Sequence, residues 1–238
     1  MKKSTKIIIA IVVIVLIIAA IIGFFVIRDL KQEKNLETEL NDLLSSMDSY
    51  PLKYEELETK LNRTATTGSY KDVETSVKEY MRSFINSVKS LDTLFDSDDI
   101  INAVSAENYK NDGPDFVKTK KNLSTASEEL DKISEDLLSF FTEEKAMSFI
   151  KDKNLDDYYI DLYKQYTVAG DDESKSEIAN TQKELTNSLN DFKKLINQEQ
   201  EIIDFLVKNK RSWKIENDEI VFYSQTLVDK YNSLINEI

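Results

Sequence analysis

The chain has 238 residues, 31 basic and 44 acidic, and carries a net charge of −13 with neither cysteine nor histidine. Disulfides, thiolate metal sites and every cysteine- or histidine-based catalytic pair are thereby excluded. Carboxylate, lysine and tyrosine chemistry survive, as does cation binding by oxygen ligands.

The first element is the run "IIIAIVVIVLIIAAIIGFFVI" at residues 7–27, apolar apart from Gly23 and free of charge. As a helix, 21 residues reach roughly 31 Å, the thickness of a hydrocarbon core. A core helix of a soluble domain would keep a polar face, and this run has none. No small-x-small pair suits signal cleavage around Ala19, Ala20 or Gly23, and the run exceeds a usual signal core. The segment therefore reads as an uncleaved transmembrane anchor in contact with membrane lipid. Lys2, Lys3 and Lys6 precede it, whereas Arg28, Lys31 and Lys34 follow it mixed with Asp29 and Glu33. The short cationic start points to a cytoplasmic N-terminus. The expected organisation is a cytoplasmic tail at 1–6, an anchor at 7–27 and an extracytoplasmic helical domain at 28–238. The last part divides into a membrane-proximal stalk at 28–67 and a bundle at 69–238. Setting aside the three N-terminal lysines, 28 basic residues face 44 acidic ones, a balance of −16. That charge disfavours nucleic acid and independent docking on an anionic membrane.

Glycine and proline beyond the anchor are confined to Pro51, Gly68, Gly113, Pro114 and Gly170, which punctuate long helices. Leu36, Leu40, Leu43 and Met47 make one stripe before Pro51. Tyr54, Leu57 and Leu61 make a short second helix, followed by the polar loop "NRTATTGS". Ser69 is the expected cap of a strong helix carrying Val73, Val77, Phe84, Val88, Leu91 and Phe95. A short helix after Ser97 leads to the "KNDGPD" turn. Phe116, Leu123, Leu130 and Leu137 then recur every seven residues, with Ala126, Ile133 and Phe140 between them and Thr119 breaking the pattern. Two shorter helices follow, the second being "DDYYIDLYKQY". A further heptad pattern extends from Asp171 to about Lys208, with Gln182 and Glu199 as interruptions.

"WKIENDEIVF" alternates and reads as a β-hairpin over 213–222, after which Ser224 caps a last helix. The predicted fold class is all-α: a transmembrane helix followed by an elongated antiparallel helical bundle with one small hairpin. The heptads also allow oligomerisation, and whether they pack within one chain or between two is open.

The acidic doublets Asp98-Asp99, Asp156-Asp157 and Asp171-Asp172 fall at helix starts, where carboxylates complement the dipole. No Asp-x-Asp-x-Asp-Gly loop accompanies them. No metal or other cofactor and no catalytic residue is expected. Candidate partner-binding residues are Tyr159, Tyr163 and Tyr166, which step along one face of a helix, and Trp213, the sole tryptophan. The competing expectation places all four against neighbouring helices. The functional reading is a non-catalytic interaction or scaffold module of the cell envelope, with an envelope or membrane protein as partner. A ligand-binding sensor is the alternative; with six residues ahead of the span, it would have to signal through a membrane partner. A carboxylate-dependent envelope enzyme is the third reading.

Overall fold

The computed structural model describes residues 31–47, 51–168, 172–217 and 219–236. The tail expected at 1–6 and the anchor expected at 7–27 lie outside the described residues. Among the described residues, no helix is long and apolar enough to cross a membrane. The described chain is all-α, a helical bundle with one two-stranded antiparallel hairpin.

Its elements are α1 (Lys31–Ser45), α2 (Tyr54–Leu61), α3 (Ser69–Phe95), α4 (Asp98–Ile101) and α5 (Ala106–Asn111). They continue with α6 (Val117–Ser139), α7 (Glu143–Met147), a 3-10 turn (Lys151–Lys153), α8 (Asp157–Thr167) and α9 (Asp172–Lys208). β1 (Trp213–Glu216), β2 (Glu219–Phe222) and α10 (Gln225–Asn236) complete the order. The chain divides into two compact units. The first holds the described residues up to Val88 together with Glu135–Ser188; the second holds Lys89–Ser134 and the residues from Leu189 onward.

In the first unit, Leu36, Leu40, Leu43 and Met47 of the α1 stripe are fully buried, as their spacing predicts. Val73, Val77, Tyr80, Met81, Phe84, Ile85 and Val88 form the buried face of α3. The Tyr80 hydroxyl donates to the Phe140 carbonyl at 2.8 Å, and its ring meets Phe140 and Phe149 edge-on at 5.4 and 5.7 Å. Such edge-to-face pairs add to plain area burial.

The start of α3 departs from expectation. The Lys71 and Asp72 amides donate to the Gly68 carbonyl at 3.0 and 3.4 Å, so Gly68 rather than Ser69 holds the cap position. Gly68 adopts φ +59°, and an added methyl group would meet nothing within 4 Å. Gly68→Ala should therefore cost about 1 kcal/mol through backbone strain alone. Urea unfolding would read this loss, and Gly68→Asn should recover part of it, because asparagine tolerates the left-handed region.

Ser76 sits on the buried face of α3, fully covered, and its hydroxyl has no hydrogen-bond partner among the described residues. Burying an unmatched hydroxyl is unfavourable, and alanine is the better helix former. Ser76→Ala is expected to raise stability by about 1 kcal/mol, seen as a higher urea midpoint with unchanged slope.

In the second unit, Leu123, Ala126 and Leu130 of the α6 heptad are buried, while Ile133 is half-buried. Phe116, read as the first heptad residue, lies instead in the preceding turn at φ +49°. It is still completely buried. The Gly113–Pro114 peptide bond in the same turn is cis. Leu189, Phe192, Ile196, Ile203 and Leu206 of α9 line this core, and Phe192 packs on Phe95 with ring centroids 4.1 Å apart. The predicted hairpin forms, pairing Trp213 with Phe222 and Ile215 with Ile220. The Ser224 hydroxyl accepts the Leu227 amide at 3.4 Å, so Ser224 caps α10.

Candidate functional site

The tyrosine stripe of α8 faces inward over most of its length. Tyr163 is fully buried and donates its hydroxyl to the Ala146 carbonyl at 2.6 Å. Burial drives its hydroxyl well above the ordinary tyrosine range. Tyr166 is buried as well, and the loss of water pushes its hydroxyl up to about 12. Both rings lie among neighbouring helices of the first unit, as the competing expectation has it. The α8 tyrosines that reach the surface are Tyr158, 40% exposed, and the half-buried Tyr159. They join Tyr70 of α3 in one cluster, Tyr159 lying 5.1 Å from each of the other two rings. The Tyr158 hydroxyl donates to Glu33 at the start of α1. Sequence spacing missed Tyr158 and Tyr70, because α3 and α8 meet only in the fold.

Trp213 also turns inward, at 8% exposure. Its indole N–H donates to the Leu206 carbonyl at 2.8 Å, and its ring stacks on Phe116 at 6.0 Å and 30°. What it pins in place is more accessible. Phe205 of α9, Phe222 of β2 and Tyr231 of α10 are half-buried, with centroids 5.2 to 6.5 Å apart. Leu227, Val228 and Ile235 of α10 are half-buried too, and Tyr223 just past β2 is 63% exposed. Tyr223 lies near Lys214 of β1, while Phe205, Phe222, Tyr231 and the α10 aliphatics form an aromatic and aliphatic face on the hairpin and last helix. The Tyr231 and Tyr109 hydroxyls hydrogen-bond at 2.9 Å at its inner margin.

A separate polar cleft of about 370 Å³ opens between α4, α5 and the start of α6. Asp98, Asp99, Asn102, Glu107, Asn111 and Lys118 line it, with Lys118 and Asp99 3.5 Å apart. Its floor explains the heptad break. Thr119 is buried, donates to Asp112 at 2.7 Å and accepts from Asn108 at 2.9 Å. Burial would raise the Asp112 carboxyl, but the Thr119 and Lys118 amides and the Thr119 hydroxyl together hold it below its usual value. Thr119 thus ties the turn to α6 through a hydroxyl that a leucine could not supply.

The densest charge cluster lies in the first unit. Glu74, 1% exposed, accepts the Ala65 and Thr66 amides, the Thr66 hydroxyl and the Lys78 ammonium, all between 2.6 and 3.1 Å. Lys78 is equally buried and also reaches Glu39 at 2.7 Å and the Arg63 carbonyl at 2.9 Å. Arg63 in turn bridges Glu39 and Asp42. With donors and acceptors matched on both central side chains, this cluster fastens loop 63–67 to α1 and α3 and leaves no group poised for proton transfer.

No family model matches the chain, and no curated protein or solved structure matches it.

Proposed function

We propose that the protein is a single-pass membrane protein whose helical body lies outside the cytoplasm and acts as a non-catalytic interaction or scaffold module of the cell envelope. Residues 7–27 supply the membrane attachment. The observation that supports the interaction role is the half-exposed face of Phe205, Phe222 and Tyr231, which continues in the chain into exposed Tyr223. Aromatic rings are enriched at protein interfaces, because they bring large contact area at little entropic cost. The partner is an envelope or membrane protein, since the attachment restricts encounter to that compartment. A photo-crosslinking residue at position 223, in the full chain in its native membrane, should give one discrete protein adduct. The same residue at exposed Glu128 should not. Identical adduct patterns at both positions, or none at 223, would overturn the interaction reading. Protease shaving of intact cells tests the topology separately: the body should be digested from outside.

The polar cleft favours a second reading, a sensor for a small polar ligand. Its volume lies within the range of small-molecule sites, but its lining lacks the apolar walls those sites usually have. A thermal-shift screen with small metabolites would separate the two readings, since any ligand that binds only the folded state raises the midpoint.

A further inference from the structure

We propose that the tyrosine cluster of Tyr70, Tyr158 and Tyr159 sits in the lipid headgroup layer of the membrane that holds the anchor, and so fixes the tilt of the first unit on the bilayer. The inference rests on the anchor reading of residues 7–27.

Position along the chain comes first. Tyr158 donates to Glu33, and Glu33 is only six residues beyond Ile27, where the apolar run ends. Six residues span about 9 Å as a helix and at most about 20 Å fully extended. The headgroup layer itself is roughly 5–7 Å deep on each side of the hydrocarbon. Continued as a helix, the six residues put Glu33 about 9 Å past the hydrocarbon, beside the outer margin of that layer, and the direct contact to Glu33 brings the cluster to the same level. No comparable constraint places Tyr223 or the polar cleft.

Chemistry comes second. Tyrosine is enriched at membrane interfaces because its ring prefers the acyl margin while its hydroxyl remains among water and phosphate. Here three such rings share one patch: Tyr158 and Tyr159 pack at 5.1 Å, and the Tyr70 and Tyr158 hydroxyls lie 3.2 Å apart. Tyr158 is among the few large apolar-bodied residues that are well exposed. Lys31, Lys34 and Lys71 stand near the cluster in sequence beside Glu33, Asp72, Asp156, Asp157 and Asp161, so the patch shares the acidity of the body. A body of charge −16 would not adsorb on anionic lipid by itself. Held there by an anchor, it needs only a patch that tolerates the interface, and a few rings supply enough contact to choose one tilt.

The test uses the full chain reconstituted in vesicles of phosphatidylcholine and phosphatidylglycerol. Tyr158→Trp adds a second indole to buried Trp213, so the difference from the unmodified chain reports position 158. A nitroxide on the lipid headgroup should remove most of that added emission, while aqueous acrylamide should quench it less in vesicles than in detergent. Equal acrylamide quenching in both, with no effect of the nitroxide lipid, would overturn the inference. Should Tyr158→Trp fail to fold, K71C carries a single environment-sensitive dye, since the chain has no other cysteine. Its emission should shift to the blue on reconstitution, and an unchanged spectrum counts against the proposal. Flotation after an alkaline wash separates the two levels. A chain that floats with unquenched label refutes the tyrosine contact alone, whereas a chain that fails to float refutes the anchor and the contact together.

Discussion

Replacing Lys78 with methionine should cost about 3–5 kcal/mol of folding stability, the usual penalty for leaving one member of a buried ion pair alone. The loss should exceed what methionine recovers as an apolar side chain, because Glu74 stays 1% exposed with its carboxylate facing an emptied site. Against a total stability of about 5–15 kcal/mol for an ordinary domain, such a change shifts a urea midpoint far outside error. The double variant Glu74→Gln with Lys78→Met should lose less than Lys78→Met alone, since the glutamine oxygen still accepts from the loop and the central pair leaves no buried charge. A double variant that is worse than the single would refute the pairing.

The same cluster sets a pH dependence. Burial alone would raise the Glu74 carboxyl, but hydrogen bonds from Thr66, Lys78 and the Ala65 amide outweigh it and hold it below 4.5, its unperturbed value. Because the folded carboxyl binds its proton more weakly than the unfolded one, its contribution is present in full above pH 4.5. It is lost as pH falls from there through the lower folded value. Asp42, held down by Arg63 and then Lys60, titrates in the same direction. Stability should therefore drop on acidification below about pH 4.5, and Lys78→Met should flatten that drop, as paired unfolding curves at pH 7 and pH 4 would show.

This cluster also marks where the sequence stops being readable. Glu74 and Lys78 stand four apart on α3 and look like a solvent-facing pair. Only the return of loop 63–67 over them, with two backbone amides aimed at Glu74, makes the site interior. Apolar stripes were legible because burial follows helical period, so Leu36 to Met47 and Leu123 to Leu130 fall where spacing places them. The α8 tyrosines were legible as a face without its direction: a stripe of Tyr159, Tyr163 and Tyr166 beside Leu162 serves a core as well as a surface, and both readings followed from it. Glu199 shows the opposite limit. It interrupts the α9 heptad and yet is 3% exposed, in electrostatic range of Tyr109. Heptad pattern cannot distinguish a polar residue turned outward from one drawn into a polar pocket. The hairpin was readable from alternation, because Trp213 and Ile215 repeat against Lys214 and Glu216 and the pattern resumes at Ile220 and Phe222.

Trp213→Ala is expected to be the most damaging change in the second unit, at about 3–5 kcal/mol. The substitution removes a ring packed on Phe116 and Tyr109 and leaves the Leu206 carbonyl without the indole donor. Trp213→Phe should cost less, about 1–2 kcal/mol, because the ring contacts persist while the hydrogen bond goes. Trp213 is the one fully buried residue of the two strands, and a two-stranded hairpin is marginal when nothing holds it down. The loss should therefore be local before it is global. Amide exchange at Lys214 and Val221, which face each other in a hydrogen-bonded pair, should lose protection while the core of α3 keeps its own. Gly113→Ala should approach the same outcome from the other side. Its methyl carbon would stand 2.3 Å from the Tyr109 carbonyl oxygen and 3.1 Å from the edge of the Trp213 ring, and the backbone contact cannot yield without moving the turn. If the aromatic face around Phe222 is what a partner grips, both variants should also abolish the adduct at position 223. Trp213 would then matter to binding as the residue that holds the face in place, with no contact to the partner. Retained crosslinking alongside lost hairpin protection would show that the partner recognises something other than this face.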